Sequence, residues 1–271
     1  MKDMIIKKDN KIIQKTINEF THKQNQLMCL LLGKYVKSNQ KEFINTTISI
    51  AEIRKILGVK SDGGNVYERI RCAIERFGKV SSIGILIDDK KPRYEWIPYF
   101  KKIELNENEV TFKWNEEMRP YLLDTKNYTK YLASNYLMLR SIYSQNLYEQ
   151  MKSIENYEKT YHKLPQITVA ELRKIMKVEG KKAYETFNHF KTKCLNKAIN
   201  DINSYTDLNI EMIPIKQGKS VVACQFKIRK KVSENIKNTI DIEEKEINES
   251  SNSVIDEELS NLLVQLHNGE L

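Results

Sequence analysis

The chain has 271 residues, enough for two modest hydrophobic cores, because a single core usually serves about 100–200 residues. Hydrophobic residues make up 40% and charged residues 30%, as in soluble globular proteins. No run of about 18 apolar residues predicts a membrane-spanning helix, and the first residues carry Lys and Asp where a signal peptide needs an apolar stretch. These features predict a cytoplasmic protein that does not span a membrane.

The net charge of +9 is distributed unevenly along the chain. Residues 232–271 contain ten acidic side chains and two lysines, so this tail carries −8 and residues 1–231 carry +17. The strong positive charge of residues 1–231 predicts a polyanionic partner, either a nucleic acid or an anionic membrane surface. A solvated lysine-rich surface has the same composition. The Asn, Ser and Glu residues that dominate the start of the tail favour a flexible acidic segment.

The first half begins with an apolar helical segment at 25–36. A short helix over 49–59 follows, where Ser49 and Glu52 have the spacing of a capping box. After a polar, glycine-containing turn, apolar residues at helical spacing predict a longer helix over 66–77. Three segments of strand-like sequence come next, at 80–87, 94–105 and 110–114.

The second half repeats this order, starting with an apolar helix over 135–151. Residues 168–178 then match the short helix of the first half at a constant offset of 119 residues, and Thr168 and Glu171 repeat its capping box. A longer helix and a β-hairpin are predicted after it, at 183–202 and 207–230.

A helix-turn-helix followed by a β-hairpin is the arrangement of a winged helix, and the chain contains it twice. The predicted fold is therefore α+β, with two tandem winged-helix domains related as a pseudo-repeat and a flexible acidic C-terminal tail. We expect the N-terminal winged helix at 1–125, the C-terminal, DNA-binding winged helix at 126–231 and the tail at 232–271.

The second long helix is the main candidate for reading DNA. A helix in the major groove needs short polar and basic side chains on its exposed face, with further lysines on phosphates. Steps of 100° per residue from a buried Phe187 predict such a face, which extends as far as Asn196, although an ordinary solvated helix has a similar pattern. The DNA-binding candidates here are Lys181, Lys182, Thr186, Asn188, His189, Lys191, Thr192 and Lys193.

The first long helix and the two hairpin tips supply further DNA-binding candidates. Two glutamates interrupt the outward face of the helix, so contacts with the DNA backbone suit it better than base reading. The helix candidates are Asn65, Arg69, Arg71, Arg76 and Lys79. The hairpin candidates are Lys90, Lys91 and Arg93 in the first half and Lys216 and Lys219 in the second. Basic residues at these tips are equally consistent with surface side chains that bind nothing.

Catalytic and metal-binding patterns are weak by comparison. Gly218-Lys219-Ser220 resembles the end of a phosphate-binding loop, but Ile213 stands where that motif needs a glycine. The four cysteines lie apart among apolar neighbours, which predicts buried reduced thiols, and the histidines lack metal-ligand spacing. We therefore expect no enzyme activity, cofactor or metal. The tyrosines that fall on apolar helix faces, as core residues do, include Tyr67, Tyr136, Tyr148 and Tyr184.

Two stretches carry a family resemblance. Residues 139–149 (LRSIYSQNLYE), and the pattern from Tyr184 to Asn203 followed by the Lys216–Lys219 turn, resemble the second-domain signature of the Rep_3 superfamily of plasmid replication initiators. The resemblance extends over roughly residues 20–230. Thr186 and Thr192 stand where the family tends to have basic residues, so its base contacts do not carry over directly.

The resemblance implies a non-catalytic initiator that binds tandem origin repeats, called iterons, as a monomer, with the second-domain helix as the main reader. It also implies a homodimer that binds an inverted repeat at an operator and represses its own gene, and contacts with a host replication initiator and helicase. Two alternatives stay open: a winged-helix transcriptional repressor without a replication role, and a rolling-circle nicking enzyme. Tandem repeats beside the gene would favour the initiator, and a single palindrome the repressor.

Overall fold

The computed structural model describes residues 4–37, 45–58, 65–88, 93–122 and 125–231. Its strands are β1 (Ile5–Asp9), β2 (Thr16–Ile17), β3 (Thr46–Ser49), β4 (Ser82–Asp88), β5 (Arg93–Pro98), β6 (Phe100–Leu105), β7 (Glu109–Trp114), β8 (Tyr128–Leu132), β9 (Gln166–Thr168), β10 (Leu208–Gln217) and β11 (Ser220–Lys230). Its α-helices are α1 (Asn10–Gln14), α2 (His22–Lys37), α3 (Ile50–Leu57), α4 (Val66–Val80), α5 (Arg119–Leu122), α6 (Ala133–Met138), α7 (Ile142–Ser153), α8 (Tyr157–Tyr161), α9 (Val169–Ile175), α10 (Phe187–Phe190) and α11 (Asn196–Tyr205). The expected tail at 232–271 lies outside the described residues.

The helix-turn-helix followed by a hairpin occurs twice, which confirms the prediction of two tandem winged helices in an α+β fold. In the first half, α3 and α4 precede the β4–β5 hairpin. In the second half, α9 and the run from α10 to α11 precede the β10–β11 hairpin. None of the helices in the described ranges is long and apolar enough to cross a membrane.

Both predicted capping boxes form. The Ser49 hydroxyl accepts from the Glu52 amide at 3.2 Å, and the Glu52 carboxylate accepts from the Ser49 amide at 3.3 Å. Thr168 and Glu171 make the same reciprocal pair, at 3.2 and 2.9 Å. Because each box satisfies two backbone N–H groups that have no partner inside the helix, both α3 and α9 begin directly after their cap.

A short strand that the sequence patterns did not predict precedes each capped helix. Strand β3 pairs with β7, with Thr46 opposite Phe112, and β9 pairs with β11, with Ile167 opposite Cys224. Each strand therefore ties the start of its helix to a three-stranded sheet of the same half.

Two predicted elements are each split in two. The helix expected over 135–151 is α6 and α7, because the Ser141 hydroxyl caps a new helix by accepting from the Ser144 amide at 3.1 Å. The strand expected over 94–105 is β5 and β6, which belong to different sheets. The chain changes sheets at Tyr99, whose amide donates to the Ser81 carbonyl at 2.8 Å.

The core of the first half is rich in aromatic rings. Phe100 packs against Trp114 and Phe112, with ring centroids 4.8 and 5.1 Å apart. In the second half, α11 packs against β10 of the hairpin, and Phe190 and Phe226 are fully buried. Among the tyrosines expected in the core, Tyr136 and Tyr148 are buried and Tyr184 is half-buried, whereas Tyr67 is 39% exposed because it lies beside the buried stripe of α4.

The N-terminal strand and α7 connect the two halves. Strand β1 pairs with β8, which follows the boundary expected after residue 125, and that boundary stays a prediction. Helix α7 packs against α1, α2 and β8 and also against α9 and α11. Lys8 of β1 and Glu149 of α7 form an ion pair of 2.8 Å in this region.

Candidate nucleic-acid interface

The second long helix begins later than its apolar pattern predicts. Lys182–Tyr184 forms a 3-10 turn, and the Thr186 hydroxyl then caps α10 by accepting from the His189 amide at 3.4 Å. Helix α10, a π-helical segment at Lys191–Leu195 and α11 run on from there to Tyr205. The placement of Lys181 and Lys182 on the helix is therefore wrong, since both are exposed in the turn before it.

Arg173 of α9 holds this turn in place. Its guanidinium donates to the carbonyl oxygens of Glu185 at 2.6 Å and Tyr184 at 3.3 Å, and lies 5.6 Å from the centre of the Phe190 ring. The two helices of the second helix-turn-helix are thereby joined through backbone groups at the start of the second long helix. Sequence reasoning missed this role, although Arg54 occupies the same position in the first copy of the repeat.

The exposed face of the second long helix carries most of the predicted residues. Asn188, His189, Thr192 and Lys193 are exposed, and Lys191 is half-buried at the border with the core. The opposite face is apolar and buried, and consists of Phe190, Cys194, Leu195 and Ala198.

The π-helical segment changes which residues face outward beyond it. A π-helix has more residues per turn than an α-helix, so steps of 100° per residue misplace the residues that follow. Asn196, expected to point outward, is half-buried, and Lys197 is exposed in its place. Lys197 therefore joins the predicted face, one turn beyond Lys193.

Four lysines in and before the second long helix have no acidic partner among the described residues. Among the ion pairs of the described residues, none includes Lys181, Lys182, Lys191 or Lys193. A helix that presents unpaired cations and short polar side chains on one face is suited to bind a polyanion.

The basic residues of α4 are partly neutralised by their neighbours. Arg71 donates to Glu68 at 2.8 Å and lies 3.5 Å from Glu75, and Lys79 pairs with Glu75 at 2.6 Å. The hydrogen bonds from Arg71 lower the pKa of Glu68, and those from Lys79 lower the pKa of Glu75. Asn65 serves as the N-cap, its side chain accepting from the Glu68 amide at 3.1 Å. Arg69 and Arg76 are exposed and belong to none of the ion pairs in the described part of the chain.

The two hairpins differ in what they present. In the second, Gly218 adopts φ 62° in the turn, and Lys216 and Lys219 are exposed on either side of it. In the first, Arg93 is exposed but pairs with Glu95 at 2.8 Å. Lys90 and Lys91 lie outside the described residues. The Gly218-Lys219-Ser220 sequence leads into β11 and not into a helix, so it lacks the helix N-terminus of a phosphate-binding loop.

The cysteines are placed much as expected. Cys29, Cys194 and Cys224 are buried, whereas Cys72 is half-buried. Burial raises the pKa of the Cys194 thiol to about 12 and that of Cys224 to about 11. Within the described ranges, no group of His, Cys, Asp and Glu side chains is arranged to hold a metal ion.

A solved structure with the fold described above was found by comparison. The chain is similar to the crystal structure of the Pi initiator protein in complex with iteron DNA, with 18% identity over 86% of this chain and 100% of that chain, and a TM-score of 0.65. It also matches domains 2 and 3 of RctB, with 14% identity over 84% of this chain and 92% of that chain, and a TM-score of 0.43. No curated protein sequence matches the chain significantly.

Family models match both halves. Residues 5–152 match the model of the first winged-helix domain (WH1) of initiator replication proteins. Residues 168–228 match the model of the second winged-helix domain (WH2) of these initiators. The first match alone spans more than half of the sequence, and the chain belongs to the initiator replication protein family.

Proposed function

We propose that this protein initiates plasmid replication by binding repeated double-stranded DNA at an origin, without catalysing a reaction itself. The observation that carries this proposal is the exposed face of the second long helix. There Asn188, His189, Thr192 and Lys193 lie opposite a buried apolar face, and the lysines have no acidic partner among the described residues. Such a face is suited to a helix that enters the major groove, which supports the proposal.

Within this interface, different side chains would serve different parts of the DNA. Asn188 and Thr192 are short and polar, which suits base edges, and Lys193 can reach the acceptors of guanine. Lys181 and Lys182 precede the helix and Lys219 lies at the hairpin tip, positions that suit phosphates on either side of the groove. Of the candidates on α4, Arg69 and Arg76 suit backbone contacts best, because Arg71 and Lys79 already bind glutamates.

Membership in the initiator family and the iteron DNA bound to the similar Pi initiator support a target made of direct repeats. We further propose that a monomer binds each repeat, and that a homodimer binds an inverted repeat at an operator and represses the protein's own gene. Recruitment of a host replication initiator and helicase would then follow from the bound complex.

Footprinting on the DNA that flanks the gene tests this function. We expect protection over several tandem copies of one sequence, with a single protein per copy. Protection of one palindrome alone would identify a transcriptional repressor instead. A covalent protein–DNA adduct formed with a divalent metal would identify a nicking enzyme and overturn the proposal.

A further inference from the structure

The two copies of the internal repeat differ at a position with an unusual backbone conformation. Gly58 ends α3 with φ 68°, in the left-handed region that glycine enters without steric cost. Its counterpart, 119 residues later, is Lys177, which has φ 53°. A side chain with a Cβ is disfavoured in this conformation. Lys177 therefore adopts this conformation at a steric cost that glycine avoids in the first copy.

The Lys177 side chain makes a contact with a residue of the first half. The Lys177 ammonium donates to the side-chain oxygen of Asn18 at 2.6 Å, although the two residues are 159 positions apart. Asn18 lies between β2 and α2 of the first winged helix, whereas Lys177 lies in the turn that follows α9 of the second. The contact therefore joins the two winged helices through a single charged hydrogen bond.

Both ends of this contact are attached to packed cores. On one side, the Asn18 oxygen also accepts from the Phe20 amide at 3.4 Å, and the buried Phe20 ring stacks on Phe77 with centroids 5.3 Å apart. On the other side, Met176 and Val178, the neighbours of Lys177, are buried in the second half. The hydrogen bond therefore links two segments that are each held by buried neighbours.

The surroundings keep the ammonium partly shielded from water. Burial and the nearby Lys8 lower the pKa of Lys177 to about 8, and Glu149 and Glu19 act in the opposite direction. A hydrogen bond of a charged group that is shielded in this way is stronger than one at the open surface.

We propose that Lys177 is a positioning residue for DNA recognition, which fixes the second helix-turn-helix relative to the first winged helix through Asn18. The turn that holds Lys177 leads directly to the 3-10 turn before the second long helix, so its anchorage also sets where that helix points. The part of this inference that concerns DNA rests on the proposed function, whereas the contact between the winged helices does not.

The test uses three variants of the full-length protein. Lys177→Gly removes the ammonium and restores the residue of the first copy, so the backbone is relieved and the fold should persist. Lys177→Met removes the charge but keeps the apolar stem. His162→Gly is the matched control, because His162 is the other non-glycine residue with positive φ in the described ranges and is exposed.

The first measurement needs no DNA. Spin labels attached at positions 107 and 211 report the distance between the winged helices by pulsed electron paramagnetic resonance. Glu107 and Glu211 are exposed in the first and second halves. We expect Lys177→Gly and Lys177→Met to broaden the distance distribution and His162→Gly to leave it unchanged. Asn18→Ala should broaden it as well, with no further effect when combined with Lys177→Gly. An unchanged distribution in both Lys177 variants overturns the proposal.

The second measurement uses a duplex that carries one protected repeat. Because a charged hydrogen bond contributes on the order of tenfold to an equilibrium constant, we expect Lys177→Gly to weaken specific binding by about tenfold. The dependence on salt should stay the same, since no phosphate contact is lost. A reduced salt dependence would show that Lys177 itself binds DNA and would overturn the positioning role. If the parent protein binds no such duplex, the proposed function fails, and the distance measurement still decides whether the contact holds the winged helices together.

Discussion

Arg173 and Glu185 link the two helices of the second helix-turn-helix, with the guanidinium Nη2 2.6 Å from the Glu185 carbonyl oxygen. A backbone carbonyl in a turn is satisfied here by a side chain of the preceding helix. The same guanidinium lies over the Phe190 ring, one turn into the second long helix. The start of the second long helix is thus fixed by a side chain of the helix that precedes it.

Arg173→Ala should weaken specific DNA binding and lower the free energy of unfolding by about 1–2 kcal/mol, because two carbonyl groups lose a charged donor. Arg173→Lys should restore little of either, since an ammonium cannot bridge both carbonyls as the planar guanidinium does. Urea unfolding and a gel-shift titration measure the two effects. Arg54→Ala, at the same position of the first copy, is the control and should leave the second winged helix unaffected. Equal losses in the two alanine variants would contradict the role of Arg173.

Lys193→Ala and Lys191→Ala should each weaken specific binding, by roughly 1–3 kcal/mol where the lysine binds a base edge. Lys193 is exposed and Lys191 is half-buried at the border of the core, so we expect the larger loss for Lys193. Lys159→Ala removes the same charge from an exposed position on α8 and should bind like the parent. If both helix variants also bind like the parent, this helix does not read the DNA.

Lys182→Ala should act differently from Lys193→Ala, because a lysine in the turn before the helix suits a phosphate. Binding of the parent should weaken steeply with salt, with each neutralised phosphate contributing about −0.9 to the log–log slope. Lys182→Ala should reduce the slope by about that amount and weaken specific and non-specific binding alike. Titrations at several salt concentrations with the target and with a scrambled duplex measure both. A slope near zero in the parent would exclude a surface that binds phosphates.

Glu149→Gln should be strongly destabilising. The Glu149 side chain is 9% exposed, pairs with Lys8 at 2.8 Å and accepts from the Tyr131 hydroxyl, so the change leaves a shielded lysine without its counter-charge. Removal of one partner of a buried ion pair costs about 3 kcal/mol or more, whereas an exposed pair contributes less than about 1 kcal/mol. Glu158→Gln provides the control, since Glu158 pairs with Arg229 at 2.6 Å on the surface. Similar midpoints of urea unfolding for the two variants would contradict this difference.

The sequence predicted those parts of the fold that local contacts determine. The capping boxes of Ser49 and Thr168 depend on residues three positions apart, and both form as expected. Strands β3 and β9 were missed because they are three or four residues long and are held by pairing with strands more than 50 positions away. A period of two cannot be recognised in so short a segment.

The candidate site was predicted in outline and misplaced in detail. The apolar spacing continues through the 3-10 turn at Lys182–Tyr184, so it gave no sign that Thr186 starts the helix. The π-helical segment then shifts the outward face from Asn196 to Lys197. The contact between Lys177 and Asn18 depends on tertiary structure alone, although the exchange of glycine for lysine within the repeat marked the position.

Stability should fall at alkaline pH, in part because of Cys224. Burial raises the pKa of this thiol from its ordinary value of about 9 to about 11 in the folded protein. Between these values the unfolded chain loses the proton and the folded protein keeps it, so the stabilising contribution is complete below pH 9 and is lost as the pH rises through 11. Cys224→Ala should therefore lower stability at pH 7 through lost packing, yet show a shallower decline from pH 9 to pH 11 in urea unfolding. Cys194→Ala should behave likewise, with the difference extending towards pH 12, where that thiol titrates in the folded protein. Declines parallel to that of the parent in both variants would show that these thiols do not contribute to the loss of stability.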